Sequence, residues 1–147
     1  MSIKASLTAA MKDAMRARDQ ERLNAIRLIL ADVKRIEVDE RIEVDDERML
    51  VILDKMKKQR YDSISQFEKA GRGDLVEREE FELKVIADFL PEQLSDEELD
   101  AIIKDAIEQT GASSMKDMGK VVAIVKGQAQ GRADMGQVSQ KIKGALA

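Results

Sequence analysis

The sequence predicts an all-α protein, with an N-terminal four-helix domain followed by a small three-helix C-terminal domain. Three observations predict this fold class. Apolar residues recur at helical spacing along nearly the whole chain, capping residues precede several of the apolar stripes, and the only proline, Pro91, separates the fourth stripe from the fifth. We place the two domains at residues 1–92 and 93–147.

The first four stripes define the N-terminal domain. The first helix begins near Ile3, and Asp19 is positioned to cap the second. A long third helix is predicted over 47–70 and a fourth over 75–89, with Asp74 as the expected cap of the fourth.

A near-duplicated hexapeptide lies between the second and third helices, RIEVDE at 35–40 and RIEVDD at 41–46. Its period of six fits neither a helix nor a heptad, so we interpret it as the end of helix two plus a turn. A miniature hairpin is the alternative. Within helix three, Arg60 projects from the apolar stripe and is expected either to snorkel to water or to pair with a carboxylate.

Three shorter stripes define the C-terminal domain. Ser95 with Glu98 forms the sequence signature of a capping box and opens the fifth helix. Ser114 with Asp117 resembles a second box, which opens the sixth helix, and Asp134 is expected to open the seventh. The glycines predicted to end the sixth helix are Gly127 and Gly131.

Charge is distributed in three blocks along the chain. Residues 1–35 hold 8 Lys and Arg against 4 Asp and Glu, residues 36–110 hold 11 against 23, and residues 111–147 hold 6 against 2. The blocks therefore carry net charges of +4, −12 and +4, which sum to the overall −4. A basic C-terminal block in an acidic protein indicates an anionic partner or a solvated face.

The sequence lacks two residue types that catalytic sites commonly use. There is no His and no Cys, which removes the usual general base near neutral pH, thiol nucleophiles and most zinc sites. Phosphate-binding glycine loops are absent, and the paired carboxylates Glu79 and Glu80 lie in EREEFE, which we expect to be solvated. We predict no catalytic residue, metal or cofactor.

The expected location is the cytoplasm, because a chain without cysteine suits a reducing compartment. No apolar run approaches the length of a membrane span, and the first residues lack the apolar stretch of a secretory signal.

The basic C-terminal segment carries the candidate binding site. Its cations alternate with glycines, where a backbone can approach a phosphate closely. All four aromatic residues lie within 61–89, so base stacking is disfavoured and contact with the phosphates of a folded RNA is favoured. The alternative is a solvated helix face in which close packing around Gly119, Gly127 and Gly131 explains the glycines. The candidate nucleic-acid contacts are Lys116, Lys120, Lys126, Arg132, Lys141 and Lys143.

The segments GASSMKDMGKVV and KGQAQGRADMGQVSQKIK resemble the C-terminal part of the GatB/YqeY family. LPEQLSDEEL resembles the linker and helix before it, and KKQRYDSISQFEKAGRGDL with the opening segment resembles the N-terminal half of stand-alone YqeY-like proteins. The sequence departs from the lysine-rich family pattern at VKGQAQGRAD, which weakens the expected anion binding. The resemblance covers essentially the whole chain.

The resemblance implies a tRNA-associated binding protein. The C-terminal domain is similar to the tail of the GatB component of the tRNA-dependent amidotransferase, a carbon–nitrogen ligase that takes its amide nitrogen from glutamine. The catalytic body of that enzyme has no counterpart here, so activity of the chain alone is not expected. The implied partners are folded RNA, tRNA in particular, and an amidotransferase or aminoacyl-tRNA synthetase complex. The alternatives are a protein–protein adaptor and an accessory component without a nucleic-acid role.

Overall fold

The structure, a computed structural model, describes residues 2–147 and is all-helical. No β-strand occurs in that range, and a single isolated bridge joins Gln130 to Ala133. A short 3₁₀ turn, Met115–Asp117, precedes the sixth helix. The helices are α1 (Ile3–Ala17), α2 (Gln20–Glu40), α3 (Asp46–Lys69), α4 (Gly73–Asp88), α5 (Asp96–Thr110), α6 (Met118–Ala129) and α7 (Met135–Leu146).

The chain divides into two compact units, the first ending at Leu90 and the second spanning Pro91–Ala147. In the first unit, α1–α4 enclose a core of aliphatic side chains with little or no exposure, including Leu7, Ile26, Met49 and Leu53. In the second, α5–α7 enclose a separate core that includes Val121, Val125, Val138 and Ile142. Each unit therefore has apolar burial of its own, which is what independent folding requires.

Several predicted caps are present. Asp19 accepts a hydrogen bond from Arg22 N (3.2 Å) at the start of α2. Ser95 and Glu98 form the complete capping box of α5, with Glu98 N donating to Ser95 Oγ at 3.1 Å and Ser95 N donating to Glu98 Oε1 at 3.2 Å. The hydrogen bond that Ser95 N donates to the Glu98 carboxylate is the main reason that the pKa of Glu98 is lowered. Asp134 caps α7 through Gly136 N.

Three local predictions are wrong. Asp74 does not cap α4, because it lies inside the helix and pairs with Arg72. Ser114 makes no side-chain cap for the 3₁₀ turn that it precedes, and Asp117 Oδ2 instead accepts from Ser113 N at 3.1 Å. Gly127 does not end α6, which continues to Ala129 because a glycine inside a helix costs only about 1 kcal/mol.

The two copies of the duplicated hexapeptide fold differently. The first copy completes α2, whereas the second leaves the helix at Arg41, a left-handed residue with φ 54°. Its last two residues start the next helix, since Asp45 caps α3 and Asp46 is the first residue of α3. The interpretation as a helix end plus a turn is confirmed. Burial decides the conformation, because Val44 of the second copy is 4% exposed whereas the equivalent Val38 is 62% exposed.

Glu37 joins the turn to α1. Its Oε2 accepts from Lys4 Nζ at 2.6 Å and from Val44 N at 2.9 Å, and the side chain is only 13% exposed. The hydrogen bond from Lys4 and then that from Val44 lower the pKa of Glu37, because both favour the ionised carboxylate.

We expect Glu37→Gln to make stability less dependent on pH. A carboxylate with a lowered folded-state pKa stabilises the protein above its unfolded pKa, and the stabilisation is lost as pH falls through the folded value. Urea unfolding should therefore show the variant less stable than the wild type at pH 7, with a smaller gap at about pH 3.5. Glu43→Gln, at an exposed position in the same turn, is the control. An equal gap at both pH values would refute the assignment.

We expect the isolated segment 91–147 to fold. Its first residues are fixed to the turn after α6, where Leu94 N donates to Arg132 O (2.8 Å) and Gln93 Nε2 donates to Gly131 O (2.8 Å). Circular dichroism should show a helical fragment with a cooperative thermal transition, and a 95–147 fragment, which keeps the Ser95 cap but lacks these contacts, should melt at a lower temperature. A 91–147 fragment without helical signal would contradict separate folding.

Candidate nucleic-acid interface

The residues exposed on α6 are determined by which side of the helix is buried. Val121, Val125 and Ala129 recur every four residues and are completely buried against α5 and α7. Residues half a turn away therefore face solvent. The exposed positions are Gly119, Lys120, Ala123, Lys126, Gly127 and Gln128, with Lys116 exposed in the preceding 3₁₀ turn.

Small residues form the centre of this exposed face. Gly119, Ala123 and Gly127 are spaced four apart, so they follow one another along the helix surface. Beyond the adjacent residues and the backbone of α6 itself, a Cβ atom placed on Gly119 or Gly127 would meet no atom within 4 Å. Internal packing therefore does not explain these two glycines, and the alternative of close helix packing around them is wrong. Gly131 is different, because its φ of 79° is a conformation that favours glycine.

Three lysines surround this stripe of small residues. Helical geometry places Lys120 and Lys126 on opposite edges of the stripe, and Lys116 lies before its first turn. Within residues 2–147, none of the three forms an ion pair. The arrangement gives an exposed surface with lysines at its edges and no side chain larger than a methyl group along its centre. We call Lys116, Gly119, Lys120, Ala123, Lys126 and Gly127 the α6 face.

Two of the six predicted cations are engaged inside the second unit. Arg132 Nε donates to the Glu92 carbonyl oxygen at 3.1 Å, which holds the 91–94 segment. Lys141 Nζ lies 2.8 Å from Asp100 Oδ1, and this hydrogen bond raises the pKa of Lys141. Both side chains therefore connect separate elements of this unit.

Lys143 is exposed in the last turn of α7 and forms no ion pair with the described part of the chain. It belongs to a different helix from the α6 face. Three of the six predicted residues therefore lie on the α6 face, and two, Arg132 and Lys141, make internal contacts. The sixth, Lys143, is exposed on α7.

The sequence also contains an internal repeat, which is not among the motifs described above. Residues 117–129, DMGKVVAIVKGQA, align with residues 134–146, DMGQVSQKIKGAL, and share Asp, Met, Gly, Val, Lys and Gly at equivalent positions. The repeat makes Lys126 and Lys143 equivalent, each followed by an exposed glycine with open space around it. Comparing the sequence with itself at an offset of 17 residues would have found it.

The carboxylates of EREEFE are partly sequestered. Glu82 is 9% exposed, and its Oε2 lies 2.9 Å from Arg60 Nε, although this nitrogen lacks the alignment of a hydrogen bond. Glu79 Oε2 lies 3.5 Å from the same nitrogen, and its side chain is 17% exposed. Arg60 thus pairs with carboxylates, one of the two predicted outcomes, and the prediction that this whole stretch is solvated is wrong.

Residues 2–147 define a class of protein, an all-helical chain with a lysine-bordered α6 face. Within the described residues, no group of three His, Cys, Asp or Glu side chains is arranged to hold a metal ion. No helix in the same range is long and apolar enough to cross a membrane.

Comparison with known proteins identifies the family. The profile of the family described as "Yqey-like protein" matches residues 4–146, and the chain therefore belongs to this family. It is 32% identical over 142 residues to "Altered inheritance of mitochondria protein 41, mitochondrial" of Pyrenophora tritici-repentis, covering 93% of this chain and 77% of that protein. The protein of the same name from Kluyveromyces lactis is 36% identical over 126 residues, covering 80% of this chain and 68% of the relative.

Proposed function

We propose that this chain is a tRNA-associated binding protein that contacts the phosphates of folded RNA through the α6 face. The observation that supports the proposal is the combination of unpaired lysines with exposed glycines that have no internal packing role. A helical surface of this kind binds by charge and shape, without base stacking. Lys143 is the further contact expected on α7.

The proposal includes the relation to the tRNA-dependent amidotransferase. The sequence resemblance of GASSMKDMGKVV and KGQAQGRADMGQVSQKIK to the tail of the GatB component is the reason for proposing a role in holding tRNA for an amidotransferase or aminoacyl-tRNA synthetase complex. The proposal assigns the chemistry to the partner complex, since the sequence of this chain contains no His and no Cys. We place it in the cytoplasm. The names of the two relatives assign those proteins to mitochondria, another compartment in which tRNA is available.

Replacing Lys116, Lys120 and Lys126 together with Gln tests the proposal. We expect affinity for folded tRNA to fall at least about tenfold, because three phosphate contacts are lost. Lys55, Lys69 and Lys104, which are also exposed, provide a control triple variant with the same change in net charge. The control should bind nearly as well as the wild type. Equal losses in both variants would show that only net charge matters and would refute the α6 face as the site.

A further inference from the structure

A second face of α2 is exposed and contains no carboxylate. The buried side of this helix packs Leu23, Ile26, Ile29 and Val33 into the core of the first unit. On the opposite side, Leu28 is 44% exposed and Val38 is 62% exposed. A helix that is apolar on two sides is usually packed on two sides, and nothing in the described chain covers this one.

Three exposed apolar residues and one arginine on this face follow the spacing of a coiled coil. Leu28, Ala31, Arg35 and Val38 are separated by three, four and three residues, the a and d positions of a heptad. The seam from Leu28 to Val38 is about 15 Å long, at 1.5 Å per residue.

Charged residues flank this seam with a constant sign on each side. Arg27 and Lys34 precede the a positions, which makes them g residues, whereas Asp32 and Asp39 follow the d positions and are e residues. Neither Arg27 nor Lys34 forms an ion pair with residues 2–147, and Lys34 acts on Glu37 only through a longer-range attraction. The two aspartates make only long contacts with Arg35, at 3.5 Å and 4.0 Å.

We propose that α2 pairs in parallel with α2 of a second copy of this chain. In a parallel pair, each g residue meets the e residue five positions further along the partner helix. Arg27 then faces Asp32 of the second copy, and Lys34 faces Asp39, so two-fold symmetry gives four opposite-charge pairs. An antiparallel pair would place cations against cations and carboxylates against carboxylates. The charge pattern therefore selects a second copy in the parallel orientation.

The seam predicts a weak, reversible dimer. Its length is short, and Arg35 occupies an a position, where a polar residue specifies pairing at a cost in stability. A seam of about two heptads is short for a specific interface, so we expect the dimer to form only at about 100 µM chain. Replacing Arg35 with Leu should lower that concentration at least about tenfold, because an apolar side chain fills the a position.

Sedimentation of the full chain with two charge variants tests the pairing. We expect the wild type to pass from monomer towards dimer as its concentration rises to about 500 µM. Arg27→Glu with Lys34→Glu makes both flanks acidic, and Asp32→Lys with Asp39→Lys makes both flanks basic. Each variant alone should remain monomeric up to about 10 times the concentration at which the wild type forms dimers. An equimolar mixture of the two should form a heterodimer, a gain that misfolded variants would not show.

A cysteine cross-link tests the orientation. The chain has no Cys, so Ala31→Cys introduces a single thiol at a d position, which lies opposite itself in a parallel pair. Mild oxidation should yield a covalent dimer, whereas Lys55→Cys on α3 should not. A wild type that stays monomeric at about 500 µM would overturn the proposal. Dimers that persist in both charge variants would do the same, because the contact would then lie elsewhere.

Discussion

Replacing Arg60 with Met should destabilise the protein by about 3 kcal/mol, the largest effect that we expect from a single substitution. Arg60 is 18% exposed and stands between Glu79 and Glu82, which belong to α4, whereas Arg60 belongs to α3. Without it, two sequestered carboxylates lose the cation that they share, and the remaining neighbour Arg78, at 3.7 Å from Glu82, is exposed. Urea unfolding at neutral pH measures the change in the free energy of unfolding.

Two further variants separate loss of the ion pair from loss of packing. Arg78→Met removes a cation whose side chain is 72% exposed, and we expect a cost below about 1 kcal/mol. Arg60→Met combined with Glu82→Leu removes both charges and should recover most of the loss. If Arg60→Met costs no more than Arg78→Met, the ion pair between α3 and α4 does not stabilise the fold.

Replacing Gly119 and Gly127 with Ala should stabilise the protein and weaken RNA binding. Neither new methyl group meets an atom of this chain, so the gain in helix propensity is about 1 kcal/mol in total, most of it from Gly127 in the helix interior. If an RNA backbone lies against these glycines, the methyl groups overpack that contact, and affinity should fall about fivefold or more.

Gly73→Ala is the control for this pair. Gly73 is also exposed, helical and surrounded by open space, but it lies at the start of α4 in the first unit, away from every proposed RNA contact. It should raise the melting temperature with little change in binding. A double variant that gains stability and binds tRNA as well as the wild type would show that no ligand backbone contacts the glycines.

The helices could be predicted from the sequence because apolar periodicity and capping residues act locally. The third helix is predicted over 47–70 and spans Asp46–Lys69, and the box at Ser95 is present in full. The duplicated hexapeptide shows that the local sequence alone does not determine the backbone conformation. Two nearly identical segments adopt different conformations because Val44 is buried and Glu37 binds its backbone, and both facts depend on residues distant in sequence.

The candidate site was only partly predictable for the same reason. The sequence identifies where cations are concentrated, but not which of them have partners. Asp100 pairs with Lys141 from 41 positions away, and the Glu92 carbonyl binds Arg132 from 40 positions away. Only the three-dimensional arrangement separates these two residues from Lys116, Lys120 and Lys126, which are free to meet a ligand.

The salt dependence of tRNA binding tests the central claim most directly, because it counts phosphate contacts. Each phosphate neutralised contributes about 0.7 to 0.9 to the slope of log K against log salt. We predict a slope of roughly −2 to −4 for the wild type and a slope closer to zero by about 2 when Lys116, Lys120 and Lys126 are replaced with Gln. Unchanged affinity and slope in that variant would contradict the account and leave the α6 face as a solvated helix surface.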